Sequence, residues 1–255
     1  MPDRDKPLRT AIAKSDEQSI TVRDRDLTGE LMGEMNFGTF CYLHVTGEEP
    51  NESEARLFNA MLVAIAEHGV TPSVIATRLT YDSAPEAVQG AVASGLLGAG
   101  STFLGSMENA GHMLQDGVER LDEGESMNTV AKQIVDENDR LPGFGHPEHT
   151  PTDPRTDRLF ELLEEEGLSG RHQELMREIQ DVAEDEYDTH LVLNATGAIA
   201  VVVSELGFEP SVGRGIALIA RSAGLVGHLN EEIEEPMARD IWQITLDNLE
   251  YTGEK

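Results

Sequence analysis

The sequence predicts an all-α protein, and three observations carry that reading. Apolar residues recur at helical spacing along most of the chain. Capping residues and glycines mark where those segments begin and stop. No alternating apolar–polar run appears beyond the N-terminal arm. Residues 1–30 are polar and read as an arm, or as short strands around Ser19-Ile20-Thr21-Val22; residues 37–45 are apolar and aromatic, and 47–51 form a break. A helix is expected from Ser53, with Leu57, Met61, Leu62 and Ile65 on one face and Gly69 as its stop. His68 then falls in its last turn, where helix carbonyls favour a cation or a donor. A second helix covers 71–79. Residues 84–114 are dense in Ala, Gly and Leu, which implies helices in close contact or a backbone close to a ligand. Gly98-Ala99-Gly100 follows no strand, so it is weak as a nucleotide loop. Ser126 caps a helix to about Asn138. Two more helices span 156–166 and 169–187, parted by Gly167. Residues 191–206 read as an apolar helix ending at Gly207. Pro210 and Ser211 open another helix through Ile216, Ile219 and Leu225, and a last one starts near Pro236 and carries Trp242.

At 255 residues the chain can bury a substantial core. Asp and Glu number 48 against 19 Lys and Arg, a formal charge of −29, and only Lys6, Lys14, Lys132 and Lys255 are lysines. Such a surface repels nucleic acid and anionic membrane, so neither is an expected partner. The acidic residues are spread along amphipathic segments. That suits solubility in concentrated salt, where screening removes self-repulsion; an ordinary acidic cytosolic protein is the alternative. The single cysteine, Cys41, rules out an internal disulfide and fits a reducing compartment. No apolar run nears the ~20 residues that span a bilayer. Asp3, Arg4, Asp5 and Lys6 do not make a signal peptide, so the expected location is the cytoplasm.

One stretch stands apart from these ordinary helices: Leu141-Pro142-Gly143-Phe144-Gly145-His146-Pro147, running through Glu148 to Asp153-Pro154-Arg155. Glycines let a backbone come close to a ligand, and prolines fix the loop that holds the His146 imidazole. His146 and His149 are three residues apart, but no further ligand set is visible, so no metal is expected.

Gly143-Phe144-Gly145-His146-Pro147 followed by Asp153-Pro154-Arg155 resembles the citrate synthase superfamily. So do Ala220-Arg221-Ser222-Ala223-Gly224-Leu225-Val226-Gly227-His228, similar to its late Arg-x-x-Gly-x-x-x-His helix, and Glu67-His68-Gly69. The likeness covers roughly 15–245, and the short chain and the Glu-His-Gly form resemble the citryl-CoA lyase branch. The resemblance implies one citrate synthase-like multi-helix domain over 1–255. Within it, 1–30 is the arm, about 120–205 a small helical subdomain and the remainder a large one. It implies a carbon–carbon bond made or cleaved between a CoA thioester, as substrate, and a 2-oxo acid such as oxaloacetate. His146 would exchange a proton with the oxo-acid oxygen. Arg155 and Arg221 would clamp its carboxylates with paired hydrogen bonds, and His68 would be a further donor. Gly143, Phe144 and Gly145 would lie along the CoA moiety. A homodimer or dimer of dimers would form through helices like those of 84–114. On the residues alone, Arg155 and Arg221 also suit ion pairs on an acidic surface, and His68 suits a helix end.

Two family positions depart from the pattern. Leu104 (or Phe103, in a register one residue earlier) stands where the resemblance places an enol-stabilising histidine. Thr196, 25 residues before Arg221, stands where it places a catalytic aspartate. A threonine is no carboxylate base, though its hydroxyl can hold a water or a thioester oxygen. Glu108 is the candidate replacement base, with a solvated helix charge as its ordinary reading; His112, one turn on, is ordinarily a packed helix histidine. The rival function is a CoA-thioester or dicarboxylate binding protein that keeps the fold and has lost the base.

Overall fold

A computed structural model describes residues 8–253, apart from Pro147 and the side chain of Phe103. The start of the expected arm, with Asp3, Arg4, Asp5 and Lys6, therefore lies outside the described residues, as do Pro147 of the histidine loop and the Phe103 alternative. The chain divides into two compact units, one up to Ala60 and one from Met61.

In the first unit the polar arm does form strands. β1 (Ala13–Ser15), β2 (Ile20–Val22) and β3 (Arg25–Asp26) make an antiparallel sheet in the order β1-β2-β3, with Lys14 opposite Thr21 and Val22 opposite Arg25. Arg23 and Asp24, at φ 48° and 63°, supply the two-residue turn whose hand matches strand twist. A π-helical turn (Leu27–Leu31) leads to helix α1 (Phe37–Thr46), capped by Asn36 Oδ1 on the Thr39 N–H. Gly47, at φ 86°, ends α1, and the Arg23 guanidinium donates to His44 O at 2.8–2.9 Å and to Val45 O at 3.1 Å. Val22, Leu31 and Leu43 are the core of this unit, backed by Leu27, Met35 and Phe40.

Helix α2 (Glu52–Ala66) opens in the first unit and runs into the second. It ends before His68, so that histidine lies in the following turn rather than in the helix, as the sequence reading had it. The second unit continues with α3 (Pro72–Ser83), α4 (Val88–Ala99), a π-helical turn (Gly100–Leu104), α5 (Gly105–Asp122) and α6 (Met127–Glu137). It closes with α7 (Pro154–Glu165), α8 (Arg171–Tyr187), α9 (Ala195–Glu205), α10 (Pro210–Glu234) and α11 (Ala238–Asp247). The fold is all-α in substance.

Small residues in 84–114 do bring helices together within the chain. A Cβ on Gly95 would fall 2.0 Å from Thr77 Oγ1, so α4 can approach α3 only with glycine there. The apolar run 191–206 is the hub. Helix α9 is buried along nearly its whole length and packs against α5, α7, α8 and α10. It starts at Ala195, four residues later than a helix over the whole run would. Asn194 caps it by accepting from the Thr196 and Gly197 N–H groups, and 191–193 stay extended. Among the described residues no helix is long and apolar enough to cross a membrane.

Candidate active site

The start of α9 and the histidine loop are built against each other. Leu193 pairs with Phe144 in a short antiparallel bridge; the Gly145 N–H donates to Val192 O at 2.7 Å and the Asn194 N–H to Gly143 O at 3.0 Å. Gly143 and Gly145 sit at φ 86° and 82°, and a Cβ on Gly143 would come 2.8 Å from Gly197 Cα. Here glycine is required twice over, by conformation and by contact. Asn194 Nδ2 donates to Gly145 O at 2.8 Å, and the Gly143 N–H donates to Ser106 Oγ at 3.1 Å. The extended Leu191-Val192-Leu193 segment is thus the rail along which the loop is laid.

That loop fixes the protons on His146. Its Nδ1 accepts the N–H groups of Glu148 at 3.1 Å and His149 at 2.9 Å. A neutral ring so held carries its proton on Nε2; Arg155 Nη2 lies 3.5 Å from that nitrogen, and because a guanidinium only donates this is a close approach and not a hydrogen bond. His149 stacks on His146 with ring centroids 4.3 Å apart, and its Nε2 is 3.4 Å from His68 Nε2. Burial first, then the cationic neighbours, push His68 and His146 below the ordinary histidine value of 6.5. The ring nitrogens of His68, His146 and His149 lie within 4.8 Å of one another, a spacing that brings a metal ion to mind. Yet the His146 lone pair is spent on two backbone donors, and the Arg155 guanidinium faces the same ring. That donor set suits an anion better than a cation.

The two arginines differ in how they are held. Asp153 is fully buried; it caps α7 on the Arg155 N–H, accepts the Ala195 N–H at 3.0 Å, and grips Arg155 through Nε at 3.0 Å and Nη2 at 2.8 Å. Burial raises the Asp153 carboxyl pKa, but the bonds from Arg155 outweigh that and hold it below the usual carboxylate value. Arg155 is therefore aimed by a fixed fork. Arg221 is only 7% exposed, and its Nη1 has no hydrogen-bond partner among the described residues. A buried guanidinium N–H without a partner is costly unless a ligand supplies one. Burial pushes the Arg221 pKa down.

His68, His146, Arg155 and Arg221 all line one cavity of about 990 Å³ in the second unit. Phe144, Gly145 and Thr196 line it too, whereas Gly143 serves the junction beneath. Thr196 Oγ1 donates to Asn194 Oδ1 at 2.6 Å. With its proton so committed, the hydroxyl offers lone pairs, not a donor for a thioester oxygen. Glu108 is not among the lining residues; its carboxylate accepts from Arg214 Nη1 at 2.9 Å. Leu104 is buried in the lining, and His112 is an exposed helix residue outside it.

Sequence reasoning missed the part that four residues play in the site. Glu148 is the one carboxylate among the described lining residues. Ser106 and Arg140 also reach the lining. Asp153 is the key to Arg155; its signal was available, because Asp followed by Pro is an N-cap followed by a first-turn residue.

Comparison with known proteins gives the family. The family described as "Citrate synthase, C-terminal domain" matches residues 9–243. The structure of citryl-CoA lyase from Hydrogenobacter thermophilus superposes with a TM-score of 0.87 and 31% identity, covering 98% of this chain and 96% of that one. ATP citrate lyase from Methanothrix soehngenii, solved with citrate and coenzyme A, shares the fold at a TM-score of 0.78 and 19% identity, with 98% of this chain matched to 42% of that one. The citrate synthase of Haloferax volcanii is 26% identical over 220 residues, 85% of this chain and 55% of its own length. The chain thus spans about half the length of the curated relatives it matches. It belongs to the citrate synthase family.

Proposed function

We propose that the protein is a citryl-CoA lyase-like enzyme, making or cleaving the carbon–carbon bond between an acyl-CoA and a 2-oxo acid such as oxaloacetate. The observation that carries this is the convergence of His68, His146, Arg155 and the unpartnered Arg221 on one cavity. Two guanidiniums suit the two carboxylates of a 2-oxo diacid. The Nε2–H of His146 suits its carbonyl oxygen, where negative charge collects as the bond forms or breaks. The likeness to a citryl-CoA lyase over nearly the full length of both chains supports the same reaction class.

In the cleavage direction the tertiary hydroxyl of citryl-CoA loses its proton and its oxygen becomes the ketone. The C–C bonding pair moves into the thioester as an enolate, whose carbon takes a proton to give acetyl-CoA. One proton thus passes from oxygen to carbon, with no oxidant and no external base consumed. His146 holds the oxygen, while His68, Arg155 and Arg221 hold the carboxylates. Gly145 and Phe144 lie along the thioester. CoA is a substrate here, and no metal step is needed. Solubility at high salt, a cytoplasmic location and a homodimer or dimer of dimers through 84–114 belong to the same proposal, supported by the acidic composition and by exposed apolar residues in that stretch such as Val88 and Leu97.

A second reading has its own observation. Leu104 and Thr196 stand where the family pattern has a histidine and an aspartate, and Glu108 is paired with Arg214 away from the lining. A protein that binds the oxo acid or the thioester without turnover would look the same there. Citryl-CoA cleavage by purified protein in high salt separates the two: acetyl-CoA and oxaloacetate are the expected products, and a folded protein giving neither favours the binding role.

A further inference from the structure

We infer that His228, which does not line the ligand cavity, is the positioning residue for His68, acting through Glu67; this rests on the reading of His68 as an oxo-acid ligand. His68 has no helix to hold it, since α2 ends at Ala66. Its backbone is held by Glu67 Oε1, which accepts the N–H of His68 at 2.8 Å and of Gly69 at 2.7 Å. The same carboxylate oxygen is reached by His228 Nε2 at 3.1 Å.

The direction of that last bond follows from the other side of the ring. Arg78 Nη2 lies 2.9 Å from His228 Nδ1. A guanidinium can only donate, so Nδ1 accepts, and Nε2 carries the proton that goes to Glu67. Glu231 is also near Nδ1, at 3.9 Å, too far to displace Arg78. Arg78 is itself fully buried, held by Glu231 and by Glu232 at 2.8 Å, and Glu232 in turn accepts the N–H groups of Met237 and Ala238 at the start of α11. Helix α10 can bring His228 this close because Gly224, one turn earlier, faces the end of α2; a Cβ there would lie 2.0 Å from Ala66 O.

The outcome is a continuous chain of hydrogen bonds: α11 start, Glu232, Arg78, His228, Glu67 and the His68 turn. Burial pushes the Glu67 carboxyl pKa up, and the bonds from His228, His68 and Gly69 outweigh that and hold it low. Glu232, Arg78, His228 and Glu67 do not line the cavity, so their effect is on where His68 sits. Binding should suffer more than turnover.

Two variants test this. His228→Leu keeps bulk but neither accepts from Arg78 nor donates to Glu67. His228→Gln retains one acceptor and one donor. Oxaloacetate affinity by calorimetry is expected to fall about tenfold in the Leu variant, the order of one lost bond to a charged group, and to recover most of that in the Gln variant. In a turnover assay the loss should fall on KM, with kcat little changed. Wild-type affinity in the Leu variant, or equal loss in both variants, would overturn the inference. Should the wild type bind no oxaloacetate, the reading of the cavity fails, but amide NMR of the free protein still decides the positioning. His68 and Gly69 resonances should shift in His228→Leu and stay near wild type in His228→Gln; unmoved resonances in both would overturn it.

Discussion

The cavity has two unlike groups of lining residues. One comes from the turn after α2, the histidine loop, α7 and α10, and supplies His68, His146, Arg155 and Arg221. The other comes from the π-helical turn 100–104, α5 and the start of α9, and supplies Ser101, Thr102, Leu104, Ser106 and Thr196. The first group is charged and held by secondary contacts: Asp153 behind Arg155, two backbone N–H groups behind His146, Glu67 behind His68. The second is small, hydroxylic or apolar and carries no carboxylate. Preorganised charge costs stability in the free protein, so it is kept where a ligand compensates it. On the proposed function, substrate recognition falls to the first group, and proton transfer to carbon is the demanding step.

The largest expected effect falls on the first group. His146→Asn keeps an acceptor for the Glu148 and His149 N–H groups but cannot reach as Nε2 does. Cleavage should slow by ~10²–10³, the usual worth of one donor at a developing oxyanion, with folding unchanged. A rate within a few-fold of wild type would remove His146 from the chemistry. Next, Arg221→Met should weaken oxaloacetate binding by about 2–5 kcal/mol, as for loss of one partner in a buried charged contact. The same change should raise the melting temperature of the free protein, because it removes a buried N–H with no partner. Weaker binding together with lower stability would mean that Arg221 is structural.

Third, pH acts on the same group. His68 and His146 have folded pKa values below the ordinary 6.5, so the unfolded chain binds protons first. The stability they contribute is present above that value and is lost as pH falls through 6.5 towards the folded values. An anionic ligand reverses the preference and favours protonated His68. Oxaloacetate binding should therefore take up protons at pH values above the lowered folded value of His68, read as a dependence of calorimetric heat on the buffer; no such dependence would contradict it. The smallest effect belongs to the second group. Thr196→Val removes a hydroxyl whose proton is already spent on Asn194, so the cost should be about 1 kcal/mol of stability and less than tenfold in rate. A larger rate loss would move Thr196 into the chemistry.

Much of this was legible in the sequence. Ser126 caps α6, Gly167 parts α7 from α8, and the loop around His146 and Arg155 is where its glycines and prolines placed it. What was not legible depends on contacts distant in sequence. An apolar run such as 191–206 has no period that tells buried helix from buried strand, and only pairing with Phe144 shows why 191–193 stay extended. Glu108 looked available as a base because its partner, Arg214, lies 106 residues on. His68 looked helical because Gly69 read as the stop, whereas α2 ends at Ala66 and the Glu67 carboxylate takes the His68 and Gly69 N–H groups.

The most direct measurement is a single turnover of citryl-CoA by the purified protein in D2O at high salt. The account expects acetyl-CoA and oxaloacetate in amounts equal to the sites, with one deuterium in the acetyl methyl. Intact citryl-CoA after mixing with folded protein that binds oxaloacetate would contradict it.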